Sequence, residues 1–178
     1  MYNPDIHHRR SVRLKGYDYS QLGCYFVTIC TYERMPLFGC IADGQMTLNE
    51  YGRIAEKELH ITEKARANIE IDEHIIMPNH IHCIIKINFR CRGTMLVPEK
   101  EYDAIERFAK PTSNSIPTII RGYKSAVTKQ LRDKDVEGYC VWQKGYYEHI
   151  IRNEEEFQNI KEYIKNNPNN WKKDKLFL

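Results

Sequence analysis

The chain has 178 residues, a formal charge of +3 and 42% hydrophobic residues, enough for one domain with a real core. No run of eighteen or more apolar residues is present to span a membrane, and the polar, basic opening MYNPDIHHRRSVRLKGYDYS lacks the apolar segment and cleavage site of a secretory signal, so no membrane partner and a cytoplasmic chain are expected. The six cysteines include no C-x-x-C pair, which argues against a zinc ribbon; Cys30 and Cys83 lie in apolar runs and read as core.

Taken in chain order, the first element after the basic start is CYFVTICTY (24–32), dense in aromatic and β-branched residues and therefore a strand, closed by the turn-like RMPLFG. TLNEYGRIAEKELHITEKA has helical character, with Ile54, Leu59 and Ile61 as apolar contacts and Asn49 placed as a cap. NIEIDEHIIMP and HIHCIIKINF follow as two strands around the Pro78-Asn79 turn signal, a hairpin. Residues 90–117 have no sustained period and read as a long loop or insertion.

SIPTIIRGYKSAVTKQLRDK places Ile116, Ile119, Tyr123, Val127 and Leu131 at helical spacing, with Arg121, Lys124, Lys129 and Arg132 elsewhere on the cylinder: a basic amphipathic helix. GYCVWQKGYYEHIIR is strand-like again. NEEEFQNIKEYIKNNP carries Asn153 as cap, three glutamates in its first turn and Pro168 beyond its end, a well-marked helix. The order β, α, β, β, loop, α, β, α predicts an α+β sheet domain with its core over about 20–170 and basic extensions at both ends. Arg9, Arg10, Arg13 and Lys15 at one end, and Lys165, Lys172, Lys173 and Lys175 at the other, permit phosphate binding by counterion release without requiring it.

Strand alternation puts His80, His82, Ile84 and Lys86 on one face and Ile81, Cys83, Ile85 and Ile87 on the other. Positions i and i+2 are about 7 Å apart along a strand, so both imidazoles can reach one divalent ion with positions left for water or substrate. Spacing alone leaves this reading level with partly buried, hydrogen-bonded histidines. In the last helix, Phe157, Ile160 and Ile164 form the inward stripe, and Tyr163 and Asn167 lie one turn apart at its edge. A tyrosine packed at a core rim is the ordinary alternative for Tyr163.

HIIMPNHIHCII, VWQKGYYEHIIRNEEEF and YIKNNPNNW, in this order, resemble the single-tyrosine HUH transposases, most closely the REP-associated tyrosine transposases. The resemblance implies an antiparallel-sheet HUH endonuclease fold, ferredoxin- or RRM-like, with a catalytic C-terminal helix. It also implies that His80 and His82 bind a divalent metal ion, Mg2+ or Mn2+, that Asn167 is an auxiliary ligand, and that Tyr163 is the nucleophile. Asn167 departs from the glutamine common in the broader family by one methylene. The implied reaction is cleavage and rejoining of single-stranded DNA bearing hairpin or repeat elements, through a 5′-phosphotyrosine, by a monomer or homodimer.

Within the same resemblance Trp142, Gln143, Glu148, His149, Ile151, Arg152 and Asn153 position the catalytic helix. Tyr146, Tyr147 and Trp142 are candidate stacking surfaces for bases, with Lys124, Lys129 and Lys144 as phosphate contacts; Tyr147 is also the rival nucleophile. A replication-initiator or relaxase nickase uses the same chemistry, but the chain carries no helicase-type P-loop. A domesticated hairpin-binding protein would not need His80, His82 and Tyr163 together.

Overall fold

The computed structural model describes residues 18–88, 114–134 and 140–177. Among the described residues, six strands and three α-helices form in the order β1 (Gly23–Cys30), β2 (Gly39–Ala42), β3 (Gln45–Leu48), α1 (Glu50–Lys64), β4 (Ile69–Ile76), β5 (His80–Ile87), α2 (Ile116–Arg132), β6 (Tyr147–Ile151) and α3 (Glu154–Asn166). The main sheet is antiparallel throughout, with strand order β4-β5-β1-β6. Without the small β2–β3 hairpin, the succession β1-α1-β4-β5-α2-β6 in this strand order is the split βαβ arrangement of ferredoxin-like domains. The expected α+β class and antiparallel sheet are therefore present.

The sheet is covered on both faces. Tyr25, Val27 and Ile29 of β1 and Ile81, Cys83, Ile85 and Ile87 of β5 join Ile54, Ala55 and Leu59 of α1 and Ile116, Ile119, Tyr123, Val127 and Leu131 of α2 in the larger core. The opposite face carries a smaller cluster of Ile84, Ile151 and Ile164, with Phe26, Ile75, Phe157 and Ile160 packed against it. That second cluster seats α3. β5 thus faces helices on both sides, which is why it reads as an almost unbroken apolar run.

In α1 the buried stripe runs through Ile54, Ala55, Glu58, Leu59 and Thr62, and Asn49 caps the helix by accepting from the Gly52 amide at 2.9 Å. Ile61, expected to supply an apolar contact, lies about 90° from the middle of that stripe and is exposed. β4 contains a bulge, with pairing shifted between Ile71 and His74. Ile69 and Ile71 face the larger core before it, whereas Ile75 reaches the α3 side after it.

One element is added to the expected order and one is corrected. GCIADGQMTL forms a hairpin whose two-residue loop, Asp43-Gly44, has φ of +49° and +72°, the type I′ turn that suits an Asp-Gly pair. Of the strand expected across 138–152, residues 138–139 lie outside the described residues, and over 140–152 the strand is confined to Tyr147–Ile151; Trp142 makes only an isolated bridge with Thr31, and a turn with Gly145 at φ +78° separates the two. Of the expected 90–117 loop, residues 90–113 lie outside the described residues, while Ile116 and Pro117 already open α2, where proline fits the first turn.

Candidate metal and tyrosine site

His80 and His82 stand on the α3 face of β5, both buried. Each ring is held from behind. Nδ1 of His80 donates to Oδ1 of Asn79 at 2.8 Å, because an amide oxygen can only accept. Nδ1 of His82 bonds the Thr28 hydroxyl on β1 at 2.8 Å, with Thr28 directly opposite His82 in the sheet register. The MPN turn sets up the first of these supports. The Asn79 carbonyl takes the Thr31 amide at 2.9 Å, and the Pro78 carbonyl takes the Phe38 amide at 3.0 Å, so the turn is tied to two neighbouring segments.

With both outer nitrogens engaged, the inner ones converge: Nε2 of His80 and Nε2 of His82 are 3.0 Å apart. Two nitrogens bound at about 2.1 Å to one ion, at right angles, are separated by about 3 Å. Burial pushes His80 down to about 4, with nearby Asp174 opposing the shift, and pushes His82 well below its ordinary value, to which the His80 charge adds. Both rings are therefore neutral at pH 7, the state a metal requires.

Tyr163 brings its hydroxyl to 3.3 Å from Nε2 of His82, and its ring meets Phe26 edge-on at 6.1 Å between centroids. The side chain is 47% exposed, so the hydroxyl sits where the buried pair meets solvent. Partial burial raises the phenol above its ordinary pKa; the Asp174 charge adds to this and a hydrogen bond with Asn167 opposes it. The phenolate is thus disfavoured without a cation nearby.

Asn167 caps the C-terminal end of α3 and is only 1% exposed. Its Nδ2 donates to Oδ2 of Asp174 at 3.0 Å, while its Oδ1 is buried with no hydrogen-bond partner among the described residues. Ligand atoms of His80, His82 and Asp174 lie within 4.8 Å of one another. Two imidazole nitrogens and a carboxylate make a mixed nitrogen and oxygen donor set, which fits a divalent ion. Sequence reasoning missed Asp174, which follows Pro168 in a segment without periodicity.

α3 owes its place to three devices. Ile164 is fully buried against Ile84 and Ile151. Asp72, at the β4 bulge, pairs with Lys161 of α3 and with Lys86 of β5; burial would raise its carboxyl, but the two ammonium groups outweigh that and hold it below its ordinary value. At the N-terminus Asn153 accepts from the Glu156 amide at 2.8 Å, and Glu156 takes the Arg152 amide at 2.8 Å and Nε2 of His149 at 2.6 Å.

The remaining expected residues are more scattered. Trp142 is buried against Phe38 and Tyr123 and donates to the Lys124 carbonyl at 3.1 Å, so its ring belongs to the larger core. Tyr146 packs half-buried on that core, and Glu148 is buried in β6. Tyr147 is exposed and meets Phe26 edge-on at 6.4 Å, beside a cleft lined by His149, Asn153, Asn159 and Ile160. Lys124 binds the Gln143 and Gly145 carbonyls at 2.9 and 2.5 Å, and burial lowers its pKa to about 8. Lys129 and Arg132 share a groove with Lys124 on α2; Lys144 is exposed nearby. Arg9, Arg10 and Arg13 lie outside the described residues.

Among the described residues, no helix is long and apolar enough to cross a membrane. No family model matches the chain. An uncharacterized protein of Haemophilus influenzae is 43% identical over 177 residues, covering 99% of this chain and 97% of the relative. The structure of a REP-associated tyrosine transposase bound to a REP hairpin superposes with a TM-score of 0.56 at 19% identity, covering 92% of this chain and 73% of that one. The chain therefore belongs to one family with the Haemophilus influenzae protein and has the fold of the REP-associated tyrosine transposases, the group its motifs resemble.

Proposed function

We propose that the protein is a metal-dependent tyrosine transposase that cuts and rejoins single-stranded DNA carrying hairpin or repeat elements. One observation carries the reading: the hydroxyl of Tyr163 faces the converging Nε2 atoms of His80 and His82. The hairpin bound in the similar transposase structure supports the choice of substrate.

His80 and His82 would hold Mg2+ or Mn2+, with Asn167 assisting. When bound, such an ion supplies positive charge that polarises the phosphodiester and favours the phenolate. Tyr163 is oriented by Phe26 and by the docking of α3. Its oxygen attacks phosphorus, forming a phosphotyrosyl bond at the 5′ end as the bond to the 3′ oxygen breaks. The phenolic proton leaves through the solvent-facing side of the ring, and the departing 3′ oxygen takes up a proton. A second 3′-hydroxyl reverses the step and joins a new strand, so no water is consumed and the phosphoester bond energy is kept. Exposed Lys144 and the Lys129–Arg132 face of α2 are the proposed phosphate contacts, with Tyr147 as a stacking surface for a base.

The test incubates a labelled, hairpin-bearing single-stranded oligonucleotide with the protein and Mg2+ or Mn2+. Wild type and Tyr147→Phe should cleave and stay attached to one product, whereas Tyr163→Phe should not. Binding without cleavage by the wild type under every metal condition would instead support a hairpin-binding protein.

A further inference from the structure

The chain beyond α3 folds back over the histidine pair. A single turn at Trp171–Lys173 brings the Trp171 ring to 5.9 Å from that of His80, and Phe177 meets Trp171 edge-on at 5.2 Å. Two carbonyls tie this strap down: that of Leu176 accepts from Nδ2 of Asn79 at 2.8 Å, and that of Lys175 from Arg34 at 3.3 Å. Asn79 thus supports His80 with one end of its amide and the strap with the other.

Asp174 stands between these anchors. Its Oδ1 accepts from the Leu176 amide at 2.6 Å and its Oδ2 from Asn167 at 3.0 Å. A carboxylate can accept about four hydrogen bonds, so one lone pair remains free even with the Tyr163 hydroxyl also engaged. Among the described residues it has no ion-pair partner. A half-buried carboxylate beside two imidazole nitrogens is a donor set short of a cation.

We propose that Asp174 is itself a ligand of the divalent ion, so that metal loading and docking of the 170–177 strap stabilise one another. This rests on the reading of His80 and His82 as ligands and adds a residue outside the three motifs that carry that reading. Asn167 then has a positioning role as well, since its Nδ2 aims the carboxylate. Because the ion binds best when the strap is docked, binding must by linkage hold the strap down. Without metal the strap is held by two carbonyl hydrogen bonds, a few local ones and its ring contacts, and opens more readily.

The experiment uses the full-length protein without DNA. Mn2+ binding is followed by the electron paramagnetic resonance signal of the free ion, and trypsin cleavage after Lys172, Lys173 and Lys175 is timed with and without Mn2+. Wild type should bind Mn2+ and be cleaved more slowly at these sites when loaded. Asp174→Asn, nearly the same size, should bind at least about tenfold more weakly and lose the Mn2+-dependent protection; Asp174→Glu should recover part of both. Wild-type affinity in Asp174→Asn, with binding abolished in His80→Ala, would overturn the inference and leave the histidine reading standing. Undiminished binding in His80→Ala would overturn both, and wild type that binds Mn2+ without protecting the strap would overturn the coupling.

Discussion

The hydroxyl of Tyr163 lies 3.3 Å from Nε2 of His82, although 81 positions separate the two residues in the chain. Nothing local holds that approach. It depends on how α3 sits on the sheet, and the first predictions concern that seat.

Ile164 is fully buried between Ile84 and Ile151, one position from Tyr163. Ile164→Ala should lower stability by about 2–5 kcal/mol, the ordinary cost of an isoleucine cavity, read as a shifted urea midpoint. The adduct yield should fall further than the folded fraction does, because the helix that remains is less well seated. Equal losses in both would mean that α3 is not the positioning element.

Asp72 joins α3 to β5 through Lys161 and Lys86. Lys161→Met keeps the aliphatic packing over Phe157 and removes one arm of this clamp. Adduct formation should fall by about tenfold, since a small displacement of a nucleophile is costly. Mn2+ affinity should stay at the wild-type value, as no ligand is touched; a matching loss of affinity would contradict the clamp.

The Thr28 hydroxyl fixes the His82 ring from the neighbouring strand at 2.8 Å. Thr28→Val preserves shape and removes the hydrogen bond. Metal affinity should drop by about 10- to 100-fold, the usual effect of losing an outer partner of a ligating histidine, with a stability change of about 1 kcal/mol. Calorimetric titration with Mn2+ reads the first quantity and urea unfolding the second.

Acid should destabilise the metal-free protein early. Burial holds His80 at about 4 and His82 well below its ordinary value, and burial together with His60 lowers His74. In the unfolded chain each of these imidazoles titrates near about 6.5. Between these values the unfolded chain takes up protons that the folded one refuses, so stability is full above about 6.5 and falls as pH drops toward about 4. The urea midpoint should fall across this window, and fall less in His74→Gln. A midpoint independent of pH there would contradict buried neutral histidines.

Much of the site is readable from the chain because β5 is regular: alternation alone puts His80 and His82 on one face and Cys83 and Ile85 on the other. The α3 stripe through Phe157, Ile160 and Ile164 is equally legible, since a capped helix keeps its period. Legibility fails where regularity does. The β4 bulge moves Ile75 to the opposite face from Ile71, and no period of two anticipates that. The β2–β3 strands are four residues long and of mixed polarity, although the Asp43-Gly44 pair between them is a turn signal. Asp174 has no spacing relation to either histidine, and only the folding back of the strap brings it there. The pairing of Tyr163 with the histidines follows in the sequence from a family resemblance, not from geometry.

The central claim is that Tyr163 forms the covalent bond to DNA. After reaction with a hairpin-bearing single-stranded oligonucleotide and Mn2+, nuclease trimming and trypsin digestion, mass spectrometry should find the added nucleotide mass on the peptide Glu162–Lys165, whose one tyrosine is Tyr163. Nucleotide mass on a peptide containing Tyr147 instead, or none on any tyrosine from cleaved reactions, would contradict the account.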